Sequence, residues 1–306
     1  MVWWIRPLVR LCAALALPLI VPALIVIALW ALPGDPASII CPPEICGEGN
    51  TALAERFNLH LGRWHFYSTW IANAVTGDLG RSWRVMQGFP VVDLLWLYTP
   101  NTLLLLGMSL FLVISSTAVS GAGVISKRLD PVWQGIGLAP SVILALLCAA
   151  FVQIKYGAGS FDGFPAYLRI FLGAGVLAVA DGMLPNSILG TRAVFEEENK
   201  QRYVQIAILR GETPVSNTLP NVMPALIGQI RARVLLLLSG TVIVEVVLQI
   251  PGVGALLWDG TLLQDFGVVL AAVWVFALVS AAMLLVQAML EIGVAVFIRR
   301  APEVPE

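Results

Sequence analysis

Charge is what this chain has least of. Of its 306 residues only 12% are Asp, Glu, Lys or Arg, where an ordinary soluble domain carries roughly 25%. The formal net charge of -1 offers no basic field for a polyphosphate backbone, which excludes nucleic acid as a partner. Histidine is nearly missing: His60 and His65 are the only two, without a third ligand nearby, so no metal centre is expected. Four cysteines are too few for a disulfide scaffold. Cys12 and Cys148 fall inside apolar runs, where they read as small buried residues. No phosphate-cradling Gly-Lys-Ser/Thr loop, dinucleotide fingerprint or nucleophile–base pair is present. Gly121-Ala122-Gly123 has neither a preceding strand nor a following lysine. Neither enzymatic chemistry nor a cofactor of its own is expected of this chain.

What it has in abundance is apolar sequence, 58% of the total. Six apolar runs are legible, at about 11–32, 98–126, 136–154, 168–190, 222–248 and 267–298. A bilayer core needs about 20 residues of helix. Strand alternation is absent, and lipid leaves no partner for unpaired backbone groups, so all six are expected to be helices. The fold class is therefore all-α, a polytopic membrane protein with six spans. The third run is the weakest, since Pro140 interrupts it and Gln153 and Lys155 bound it. No small-residue cleavage site follows the first run, which is expected to stay as an anchor.

Basic residues set the orientation. With the N-terminus cytosolic, the inner segments hold Arg6, Arg10, Lys127, Arg128, Arg192, Lys200, Arg202, Arg210, Arg299 and Arg300. The short outer loops then hold only Lys155. Both termini are thus expected inside. The 33–97 segment, outside on this reading, is too long to lack structure of its own. Its run 53–75 has helical spacing, with Trp64, Tyr67, Ile71 and Val75 on one face and Trp70 and Ala74 beside it. Such a helix suits a membrane surface or the flank of neighbouring spans. Cys41 and Cys46 flank Pro-Pro-Glu-Ile, and so short a loop is expected to close as a disulfide in an oxidising compartment.

The stretch 192–254 is the most informative. A charged segment runs from Arg192-Ala193 through Glu196-Glu197-Glu198 to Tyr203-Val204-Gln205-Ile206-Ala207-Ile208-Leu209-Arg210-Gly211. Asn221 then opens a span ending in Ser239-Gly240-Thr241-Val242-Ile243-Val244-Glu245, before Pro251-Gly252-Val253-Gly254. Upstream stand Pro33-Gly34-Asp35-Pro36, Gly77-Asp78-Leu79-Gly80-Arg81-Ser82-Trp83 and Thr99-Pro100-Asn101-Thr102. This order resembles the permease subunits of ATP-binding-cassette importers for dipeptides, oligopeptides and nickel, of the first-permease type. The likeness covers nearly the whole chain and is poorest over 127–190. Here Asn221 follows Gly211 by only ten residues, about one helical turn of ~3.6 residues short of the family pattern. Pro214 and Pro220 interrupt that interval.

The resemblance implies a single permease domain over 1–306 in a bacterial inner membrane, with 33–97 as a periplasmic cap and 192–221 as a cytosolic coupling loop. It implies a second, homologous permease chain, cytosolic ATPases that bind the ATP and magnesium, and a periplasmic substrate-binding protein; membrane lipids surround the spans. Arg202, Tyr203, Val204, Ala207 and Gly211 would then engage an ATPase; otherwise they belong to a solvated loop. Val204, Ala207, Ile208 and Gly211 share a face that would lie in the partner's groove. Pro251, Gly252 and Gly254 would form a re-entrant periplasmic turn. Gln287 and Glu291 fall where the family often carries Asn and Asp. Asp181, Arg231, Arg233 and Glu245 are ionisable residues within spans, and these line a water-filled path or form structural ion pairs. Asp181 is expected to pair with Arg231 or Arg233, which point roughly 200° apart at 100° per residue. The shortened loop leaves open a second class, a non-transporting structural subunit derived from such a permease.

Overall fold

The computed structural model describes residues 5–31, 59–121, 127–157 and 163–300, together with Ala37 and Glu55. Cys41 and Cys46, and with them the expected disulfide, lie outside the described residues. Eleven α-helices are described: α1 Ile5–Ala31, α2 Arg63–Val75, α3 Val91–Gly121, α4 Asp130–Gly137, α5 Ser141–Tyr156, α6 Phe164–Val179, α7 Met183–Glu198, α8 Arg202–Leu209, α9 Pro214–Leu248, α10 Val253–Leu262 and α11 Phe266–Arg300. Four stretches are long and apolar enough to cross a membrane: Val9–Ala31, Val91–Ser120, Phe164–Glu198 and Phe266–Leu290. Counting each of two bent pairs as one span gives up to six. The protein is all-helical and polytopic.

The chain divides into two compact units. One comprises residues 12–102 and 251–282. Its core joins Val26 of α1, Phe66, Trp70 and Ala74 of α2, Leu94 of α3, Leu256 of α10 and Leu270 of α11. The buried stripe of α2 is therefore Phe66-Trp70-Ala74, while Trp64 and Val75 are 56% and 76% exposed. Tyr67 and Ile71 of the neighbouring face pack against the same core. Both stripes of α2 are apolar, so periodicity could not choose between them; the tertiary partners do. Trp30 meets Phe66 at 5.6 Å between ring centroids, and Trp274 meets Trp70 edge-on at 6.1 Å. The Tyr67 hydroxyl donates to the Leu19 carbonyl at 2.7 Å, beside Pro18 and Pro22 of α1.

The other unit holds residues 1–11, 103–250 and 283–306. Small residues bring its helices close, as packing in lipid requires. A Cβ on Gly173 would stand 3.0 Å from both Leu105 and Val244, and one on Gly240 2.9 Å from Leu177. Ser109 of α3 donates to Ala174 O of α6 at 3.3 Å, and Ser120 to Ile188 O of α7 at 2.8 Å.

Three expectations change here. The third run bends by 81° between α4 and α5, because Pro140 is extended backbone and ends the approach to α5. The fourth run breaks at Ala180–Gly182, where Asp181 and Gly182 have φ of 53° and 74°. Cys12 is exposed rather than buried, while Cys148 is half-buried.

Candidate functional site

Helix α8 has eight residues, too few to hold a helix alone, since isolated helices need about 12–15. Tertiary contacts supply the rest. Val204 and Ala207 are buried, and α8 packs on α9. The Tyr203 hydroxyl donates to the Glu198 carboxylate at the end of α7 and accepts from Asn221 Nδ2 of α9 at 2.7 Å. Burial, followed by the Glu198 hydrogen bond, pushes the Tyr203 phenol above its ordinary range. Gly211 N–H bonds Ile208 O and Glu212 N–H bonds Ala207 O, the paired closure of a left-handed C-cap. With φ of 81°, Gly211 is there for the cap.

Of the residues expected on the docking face, Val204 and Ala207 are buried against their own chain, while Ile208 and Gly211 are exposed. Tyr203, Ile206 and Leu209, 41%, 50% and 86% exposed, face outward with Arg202 and Arg210. Pro214 does not interrupt the segment either. It takes the first position of α9, behind Thr213 in extended conformation, where its missing N–H costs nothing. The interval from Gly211 to Asn221 is short because α9 has already begun.

Pro251 and Gly252 stand between the end of α9 and the start of α10, and Gly254 falls in the first turn of α10. Gln249 and Ile250 close the end of α9, Gln249 at φ 54°. Asn101 Nδ2 then donates to Pro251 O at 2.8 Å, and Thr102 Oγ accepts from Val253 N–H at 2.7 Å. Two neighbouring residues of α3 thus pin the turn, one of them capping α10.

Beyond α10 lies a site that sequence reasoning missed. Asp265 is fully buried, and one oxygen of its carboxylate, Oδ2, accepts four hydrogen bonds. They come from Ser82 Oγ at 2.6 Å and from the backbone N–H groups of Trp83, Arg84 and Val85 at 2.9, 2.9 and 3.1 Å. Its other oxygen accepts from Val268 N–H at the start of α11. Arg84 reaches Leu263 O and Gln264 Oε1 at 3.0 and 3.1 Å. The only signal in the sequence was an acidic residue just before the last apolar run.

Residues 80–296 match the family described as "Binding-protein-dependent transport system inner membrane component". The chain belongs to this family. It is a multi-pass inner-membrane permease of that transport class, which agrees with a sequence devoid of enzymatic motifs. Among its relatives is the oligopeptide transport system permease protein AppB of Bacillus subtilis, 27% identical over 79% of this chain and 82% of that protein. The glutathione transport system permease protein GsiC of Escherichia coli O6:H1 is 28% identical over 88% of this chain and 90% of its own.

In the permease, Asp181, Arg231 and Arg233 each take separate partners. Arg233 is buried and donates to Met183 O at 3.2 Å, to Asn186 O at 2.9 Å and to Gln229 Oε1 at 3.4 Å. Arg231 donates to Gln287 Oε1 of α11 at 3.0 Å. Asp181 turns elsewhere: its carboxylate accepts from Ser141 N–H at 3.2 Å, and its backbone N–H donates to Ala139 O. It caps α5, where a carboxylate offsets the positive helix end. The expected pairing of Asp181 with Arg231 or Arg233 is not formed. Backbone carbonyls beside the break between α6 and α7 offer Arg233 acceptors that sequence spacing cannot reveal. Glu245 is fully buried in α9. Arg192 instead finds Asp130, linking α7 to α4. His60 and His65 are exposed, and no cluster of metal-binding side chains occurs among the described residues.

Proposed function

We propose that this permease forms the translocation path of an ATP-driven importer for peptide-like solutes. The family match over residues 80–296 carries the reading. The names of its relatives, an oligopeptide permease in one case and a glutathione permease in the other, support the solute class. The chain crosses the membrane six times, each bent pair counting once, with both ends in the cytosol and the segment before α3 outside. It works with a second permease chain, two nucleotide-binding chains and a solute-binding protein. Helix α8 is the coupling element. Tyr203, Ile206 and Leu209 form its contact face, Arg202 and Arg210 flank it, and Gly211 fixes its end. Rocking of the helices as rigid bodies converts closure of the ATPases into alternating access.

Isolation of the native complex tests this. Two nucleotide-binding chains should accompany the permease, and ATP-dependent uptake of a short peptide should follow reconstitution. A complex without any nucleotide-binding chain would refute the reading. It would favour the second one, a structural subunit derived from a permease, which the early end of the coupling element at Gly211 supports.

A further inference from the structure

Between α2 and the segment 78–83 lies a cavity of about 280 Å³, close to the lower bound of roughly 300 Å³ for small-ligand pockets. Phe66 and Trp83 line it with aromatic surface; Thr69, Asn73, Asp78 and Arg81 bring polar groups to the same space. The tight turn through Gly77 and Gly80, at φ of 92° and 80°, brings one acid and one base to a single cavity. Asp78 commits one oxygen to Gly80 N–H at 2.9 Å, and Arg81 one nitrogen to Gly88 O at 3.1 Å. A carboxylate has about four acceptor sites and a guanidinium five donors, so both keep capacity to spare. The wall is rigid. Asp265 holds the adjoining residues 82–85 by four hydrogen bonds, and Ser82 N–H bonds Phe89 O across the hairpin.

We propose that this cavity is a binding site for a small zwitterion, an α-amino acid or a short peptide. The ligand's ammonium lies on Asp78, its carboxylate on Arg81, and its apolar side chain on Phe66 and Trp83. Thr69 and Asn73 supply the neutral hydrogen bonds that fix orientation. The site is separate from the transport reading and does not depend on it, since occupancy is an equilibrium property measurable without ATP or uptake.

Titration calorimetry on the full-length chain, purified with whatever subunits accompany it, tests the assignment with leucine as the probe. Leucine should bind saturably. Leucinamide lacks the carboxylate and N-acetylleucine the ammonium, and each should bind about tenfold more weakly. Asp78→Asn keeps the acceptor for Gly80 and should erase the preference for a free ammonium. Arg81→Gln should erase the preference for a free carboxylate, and Arg81→Lys should retain it. Thermal unfolding of each variant separates a lost site from a lost fold. Absence of saturable binding to the wild-type chain overturns the proposal. So does equal binding of the blocked analogues, or discrimination that survives in folded Asp78→Asn and Arg81→Gln chains.

Discussion

A single carboxylate ties residues 82–85 of this permease to the start of α11. Asp265 satisfies three consecutive backbone N–H groups and a serine hydroxyl through one oxygen, and hydrogen bonds to charged groups are worth about 1.5–3 kcal/mol each. Asp265→Ala strands one buried and three partly buried donors and should cost about 3 kcal/mol. Asp265→Asn, which keeps an acceptor, should cost less. Thermal unfolding in detergent measures both, and a wild-type midpoint for Asp265→Ala would end the argument. Asp181 and Arg233 supply a second prediction at this scale. Each has its own partners, so Asp181→Asn and Arg233→Leu should be additive within about 0.5 kcal/mol. Strong coupling in that double-mutant cycle would restore the ion pair that spacing had led us to expect. Asp181→Val should be worse than Asp181→Asn, because a β-branched residue resists the left-handed backbone at φ 53°.

Among the elements, α8 separates into two faces with different consequences. Val204→Glu places a charge in a fully buried position and should lower stability by several kcal/mol, near the top of the range for single substitutions of about 0.5–3 kcal/mol. Leu209→Glu alters a side chain that is 86% exposed and should leave the unfolding temperature unchanged while weakening the hold on the nucleotide-binding chains. Co-purification of those chains reads the second effect; if Leu209→Glu releases nothing, the outward face is not the contact. Gly211 belongs to the cap. Gly211→Ala should cost about 1 kcal/mol through backbone strain, so a bulky residue there would blur docking with unfolding. The raised Tyr203 phenol ties a little stability to its protonated form. That contribution is complete below the ordinary pKa of about 10 and disappears as pH rises through the higher folded value. Its bonds to Glu198 and Asn221 are therefore intact at neutral pH.

At the scale of the whole molecule, the distribution of Lys and Arg predicts that both ends of the chain and α8 share one side of the membrane. Epitope tags at each end and between α7 and α8 should be labelled together by an impermeant reagent only after the cytosolic face is opened. Labelling of one tag from the outer side would reverse that topology. The apolar runs also made helices the sole economical answer for spans in lipid, and the first, second, fourth and sixth fall on described stretches long and apolar enough to cross a membrane. The third and fifth belong to bent helix pairs, and at Pro140 the helix breaker sat in plain view.

What the sequence determined by itself was therefore what depends on local composition: membrane residence, helical class, the positions of most spans, and a motif order that points to the transport family. Only the tertiary structure decided which of two apolar stripes on α2 and on α8 turns inward, since both satisfy the same 3.6-residue period and the choice belongs to the neighbour. It also decided the partners of the buried charges. Arg233 takes main-chain carbonyls in the first turn of α7, and Asp265 takes N–H groups some 180 positions earlier in the chain. Backbone donors and acceptors carry no residue identity, so a partner made of backbone leaves no trace in sequence until the fold brings it near.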